Sequence, residues 1–91
     1  IFNPDSDLNN NIFMIFGGQG VSRIKSFQVF DRWGSKVHEY YDFLPNDVAS
    51  GWDGMVRGDK ANPAVFSYFA EIEFIDGEII LYKGDVTLIR Q

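Results

Sequence analysis

The chain has 91 residues, enough for one folded unit with a packed core and too few for two. Thirteen acidic residues against eight basic ones leave a net charge of −5, which repels phosphate backbones and argues against a nucleic-acid partner. Cysteine is absent, so disulfides, thiolate metal sites and cysteine nucleophiles are excluded together, and no apolar run approaches the roughly 20 residues that span a bilayer, so direct membrane insertion is not expected.

Asn3-Pro4-Asp5-Ser6-Asp7 is turn chemistry, extended by three Asn at 9–11. The chain opens without an initiator Met or a signal peptide and is expected to be a module of a longer protein. Residues 12–16 are a short apolar strand, broken by Gly17-Gly18-Gln19-Gly20. Residues 21–31 form a longer strand, with Ile24 and Phe30 on one face and Phe27 and Val29 on the other, a pattern for a strand buried between layers. A Trp33-Gly34 turn leads to a strand at 37–41. The stretch 42–60 is polar and irregular, with Trp52 in its middle. In 64–75, Phe66, Tyr68, Ala70, Ile72 and Phe74 alternate with Ser67, Glu71 and Glu73, a period of two with one wet face. Asp76-Gly77 is a hairpin turn, and 78–90 is the return strand, where Gly84 marks a bulge. No segment carries a helical period. The whole reads as all-β: an Ig-like antiparallel β-sandwich of about seven strands with Greek-key connections, one unit over residues 1–91.

Catalytic chemistry is sparse. The single histidine, His38, is expected on a wet strand face, without a serine or cysteine nucleophile in reach, and Glu71 and Glu73 on one strand face, about 7 Å apart by strand geometry, serve solubility. The chain is therefore expected not to be an enzyme and to need no cofactor. Asp5, Asp7, Asn9 and Asn11 alternate like the first half of a calcium loop, but Asn10 stands where such a loop has Gly, and the position of its closing Glu is Phe16. An Asx-rich turn explains them better, with weak calcium binding as the alternative. Trp33 and Trp52 each sit beside a glycine turn, in Asp31-Arg32-Trp33-Gly34 and Trp52-Asp53-Gly54. The expectation is that both rings are buried at the ends of the sandwich, that Gly34 takes a positive φ, and that Arg32 reaches a carboxylate, Asp53 first, or turn carbonyls. The alternative is an exposed recognition corner, since Trp and Arg are frequent interface anchors.

These motifs recur together in a known family. The strings "FDRWGSKVHE" (30–39), "WDG" (52–54), "DG" (76–77) and "YKGDVTLIR" (82–90), in this order, resemble the type B C-terminal sorting domain of the type IX secretion system, also called the gliding-motility-associated C-terminal domain, of Bacteroidota. Phe2, Pro4, Asp7, Asn10 and Phe13 fit the family's opening, while Ser6 and Leu8 replace its two glycines. The resemblance implies an address label: a folded domain that directs its cargo across the outer membrane through the type IX translocon, with a PorP/SprF-like outer-membrane partner and a cell-surface or extracellular destination. Under it, Arg32, Trp33, Gly34, Trp52, Asp53, Gly54, Val86, Leu88 and Arg90 are candidate partner-recognition residues. The last strand is expected at a sheet edge, and loss of the terminal charge of Arg90 is expected to cost at most about 1 kcal/mol if its ion pair is exposed. The rival reading is a carbohydrate-binding or adhesive β-sandwich, for which exposed Trp33 and Trp52 would be the sugar platforms.

Overall fold

The computed structural model describes residues 3–5, 12–15, 17 and 20–90, for residue 48 the backbone only. Its elements are β1 (Val21–Phe30), β2 (Lys36–Phe43), one turn of 3-10 helix (Val48–Ser50), β3 (Met55–Val56), β4 (Asp59–Lys60), β5 (Ala64–Phe74) and β6 (Ile79–Leu88). The fold is all-β, as the period-2 patterns predict. Among the described residues the six strands form an antiparallel four-stranded sheet, in the order β2-β1-β5-β6, and the separate β3-β4 hairpin. The chain leaves β2 at one edge and returns, through that hairpin, to the far side of β1.

Three short turns set this topology. Asp31 and Ser35 close the β1-β2 hairpin, with Asp31 N donating to Ser35 O at 2.9 Å and Gly34 N to Asp31 O at 3.1 Å. The β5-β6 hairpin repeats the pattern: Phe74 N donates to Glu78 O and Gly77 N to Phe74 O, both at 2.8 Å. Each is a three-residue loop whose last residue must turn left-handed, and Gly34 (φ 83°) and Gly77 (φ 88°) supply that at no steric cost. Between β3 and β4, Arg57 (φ 54°) and Gly58 (φ 86°) form a two-residue turn left-handed at both positions. This hairpin lies inside the stretch expected to be irregular.

Two details differ from simple alternation. Ile24, Phe27 and Val29 are all fully buried in one core, although the first two have opposite parity. The β1-β5 register shifts between Ile24 and Ser26, and this bulge inserts the residue that restores the phase. Phe30 is left on the other face, edge-on to Phe69 with ring centres 5.6 Å apart. No bulge occurs at Gly84: the β5-β6 ladder runs in constant register from Ala64↔Leu88 to Glu73↔Ile79. Gly84 instead leaves room for its cross-strand neighbour, because a Cβ there would meet the Tyr68 ring at 2.9 Å.

The core is Ile24, Phe27, Val29, Phe43, Trp52, Phe66, Ala70, Val86 and Leu88. Two loop segments cover this face of the sheet. The expected strand at 12–16 is, in its described part, a single antiparallel bridge: Phe13 N donates to Trp52 O at 2.9 Å and Trp52 N to Phe13 O at 2.8 Å. Phe13 packs edge-on against Phe27 and Tyr68, and Trp52 against Phe66 at 4.8 Å. Trp52 is thus the pin between the loop layer and the sheet.

Candidate functional site

The two tryptophans, matched in sequence context, meet opposite fates. Trp52 is buried as expected, and its indole N–H donates to Met55 O at 3.0 Å, so the ring's one polar group is satisfied inside. Trp33 is 79% exposed, which corrects the expectation of a buried ring. The physical reason lies in the turn. In the three-residue loop, Trp33 occupies the outermost position of the β1-β2 hairpin, beyond the last strand pair, where none of the described residues forms a layer over it.

Four hydrogen bonds hold the turn together. Beyond its two backbone bonds, Asp31 Oδ1 accepts from both Trp33 N and Ser35 N at 2.9 Å, the side-chain mimicry of a turn that makes aspartate favoured there. Arg32 does not reach Asp53. Its guanidinium carbon lies 5.1 Å from the Trp33 ring centre, a cation–π pair at the surface. Asp53 caps its own loop, accepting from Met55 N at 3.1 Å. Beside the Arg32–Trp33 pair is a shallow cleft of about 240 Å³, whose apolar wall includes Val37, Val56, Ala61 and Phe66.

The end of the chain is built differently from its expectation. Val86 and Leu88 are core residues, 5% and 0% exposed, so in the folded domain their side chains face inward. Arg90 is not a surface charge. Its side chain is 14% exposed; Nη1 lies 2.9 Å from Asp5 Oδ1, Nε donates to Ala61 O at 2.8 Å and Nη2 to Gly54 O at 3.2 Å. Gly54, at φ 81°, is required here: a Cβ would meet Pro4 Cγ at 2.5 Å and Arg90 Nη2 at 3.2 Å. The Trp52-Asp53-Gly54 turn, the Asn3–Asp5 turn and Arg90 therefore form one structural clasp. Sequence reasoning missed the Gly54 and Ala61 carbonyls as acceptors, since nothing local marks a backbone carbonyl for a side chain so far along the chain. Among the described residues β6 is an edge strand, as expected.

Of the candidate calcium ligands only Asp5 lies among the described residues; Asp7, Asn9 and Asn11 fall outside them. Asp5 is held by Arg90 and, at 3.9 Å, by Lys60, while Asn3 Oδ1 accepts from Asp5 N, the expected Asx turn. Among the described residues no cluster of three metal-ligating side chains occurs.

His38 is half-buried instead of wet-faced. Its ring packs edge-on to Phe27, and Nε2 lies 3.0 Å from Ser50 O. A carbonyl only accepts, so Nε2 carries the proton. Burial pushes the imidazole pKa below its usual 6.5, outweighing the Ser50 hydrogen bond and the charges of Asp53 and Glu39, which raise it.

No curated protein and no solved structure matches the chain. The family model that does match is the CHU_C type IX secretion signal domain, over residues 1–88, and with it the ordered motifs, the all-β sheet and the turns that display Arg32 and Trp33 find their common account: the chain belongs to this family of type IX secretion signal domains.

Proposed function

We propose that the folded domain is a non-catalytic address, carried by a larger exported protein of a member of Bacteroidota and read at the outer membrane by the type IX translocon. The family assignment supports export by this system. The PorP/SprF-like partner and the delivery of cargo to the cell surface or beyond it are proposed from the type B motifs. The observation that carries the recognition site is Trp33: a large ring left in water on a turn held by four hydrogen bonds, with an arginine stacked on it. An aromatic on a hydrogen-bonded turn, with an adjacent guanidinium, suits an interface anchor. Arg32, Trp33 and the cleft beside them form the surface that the partner meets, whereas Trp52, Gly54, Val86, Leu88 and Arg90 hold it in place.

The complete architecture in this reading is an Ig-like sandwich of about seven strands with Greek-key connections. Its support is the loop layer, in which Phe13 and Trp52 pair with each other and pack on the core face of the four-stranded sheet.

The test is a fusion of residues 1–91 behind a periplasmic reporter in a type IX-competent bacterium. Trp33→Ala should leave the melting temperature nearly unchanged and lower reporter export. Full export of a folded Trp33→Ala domain removes Trp33 from the recognition surface. The exposed ring also suits the carbohydrate-binding reading, although burial of Trp52 leaves it one platform instead of two. Glycan-array binding that Trp33→Ala abolishes, with export intact, would favour that rival.

A further inference from the structure

Among the described residues β6 is a free sheet edge. Among the described residues no strand, bridge or backbone hydrogen bond reaches its free side. Its ten residues contain no proline, and its ladder to β5 has no bulge. The opposite edge, β2, is guarded: Asp42 turns left-handed (φ 60°) and pairs with Arg23, Lys36 pairs with Glu39, and the register against β1 shifts near its start.

The hydrogen-bond phase of β6 is fixed by the turn. Phe74 and Glu78 are a hydrogen-bonded pair, so every second pair along the ladder is one also, from Ile72↔Ile80 to Ala64↔Leu88. The N–H and C=O groups of Ile79, Leu81, Lys83, Asp85 and Thr87 therefore point away from β5. The side chains of these residues lie on the face away from the core. Ile79 and Leu81 are 51% and 56% exposed, and neither Lys83 nor Asp85 takes part in an ion pair among the described residues.

We propose that β6 pairs antiparallel with β6 of a second copy of this chain, about a two-fold axis through Gly84. The order of side chains on the strand selects both the partner and the register. With Gly84 opposite its own copy, Lys83 faces Asp85 of the second molecule, and the pair is repeated by symmetry. Leu81 then faces Thr87, and Ile79 faces Ile89. All the odd-numbered residues that offer free backbone groups meet one another, as an antiparallel ladder requires. Shifting the axis to residue 83 sets Lys83 against Lys83, and shifting it to residue 85 sets Asp85 against Asp85. Like charges directly opposite are unfavourable, and opposite charges are favourable. The strand is thus complementary to itself in one register, and pairing joins two four-stranded sheets into one.

Sedimentation equilibrium of the chain at low salt, from micromolar to millimolar concentration, tests this. The expected result is a concentration-dependent rise from 10.4 kDa toward twice that mass. K83D and D85K should each weaken the dimer by at least about tenfold, since each makes both cross-strand pairs repulsive. An equimolar mixture of K83D and D85K should restore it, because each faces its opposite in the other. Circular dichroism confirms that the variants remain folded. A monomer at all concentrations overturns the proposal, and so does a dimer that both variants leave unchanged. Tighter association of a Lys83→Thr variant also overturns it, showing Lys83 to be a guard against strand addition.

Discussion

Arg90 Nη1 lies 2.9 Å from Asp5 Oδ1, and the same guanidinium holds the carbonyls of Ala61 and Gly54. One side chain thereby joins the segment after β6 to the Asn3–Asp5 turn and to the loop that carries Trp52. The charge is mostly removed from solvent on the arginine side and partly exposed on the aspartate side, with side-chain exposures of 14% and 30%.

Arg90→Ala is therefore expected to cost about 2–3 kcal/mol, because two carbonyls lose a charged donor that water replaces poorly. That exceeds the value of at most about 1 kcal/mol for an exposed pair, and lowers the melting temperature by roughly 10 °C or more. Asp5→Asn should cost about 1 kcal/mol or less, since both backbone bonds of Arg90 remain. Thermal denaturation of the two variants separates the clasp from the simple ion pair.

Two glycines at similar φ should respond unequally. At Gly34 (φ 83°) an added Cβ meets nothing within 4 Å, so Gly34→Ala should cost only the left-handed backbone penalty, about 1 kcal/mol. At Gly54 (φ 81°) the Cβ collides with Pro4 and crowds Arg90, and Gly54→Ala should cost roughly 2–4 kcal/mol. Equal losses in a denaturant titration would contradict the placement of Gly54 inside the clasp.

Trp33→Ala and Trp52→Ala form a second contrast. The exposed ring should be worth within about 0.5 kcal/mol of stability, the buried one about 3–5 kcal/mol. Indole fluorescence adds a spectroscopic readout: the Trp52→Phe variant, which retains only Trp33, should emit at the red wavelengths of a ring in water.

His38 gives the fold a pH dependence of known sign. Its folded pKa is below the ordinary 6.5, so below that pH the unfolded chain binds more protons than the folded one. Its contribution is complete above about pH 6.5 and is lost as the pH falls from there toward the folded pKa. Melting temperature measured from pH 7.5 to 5.5 should fall less steeply for His38→Gln than for the native chain.

Much of the fold was legible because its signals are local. Asp76-Gly77 specifies its own turn, and the alternation from Phe66 to Phe74 marks a half-buried strand without reference to any neighbour. The β1 bulge was not legible, because Ile24 and Phe27 show their common side only against the β5 ladder. Nor could the sequence distinguish Trp33 from Trp52. Both stand beside a glycine turn, and burial is decided by which turn the loop layer crosses. The packing of Arg90 was not legible for a similar reason: its acceptors are backbone carbonyls at 54 and 61, which no residue type announces. His38 stands opposite buried Val29 beside a register shift that strand alternation does not reveal, and the Ser50 loop that bonds it comes from the polar stretch that showed no period.

This chain is expected to be sufficient as a type IX export address. Its most direct test fuses residues 1–91 to a periplasmic reporter, expressed in a type IX-competent bacterium and in the same strain lacking the translocon. Protease accessibility of the reporter on intact cells and its recovery from the medium are then measured together. The expected result is reporter outside the outer membrane in the competent strain alone. Reporter retained in the periplasm of both strains, with the domain folded, would contradict it, and so would equal export from both.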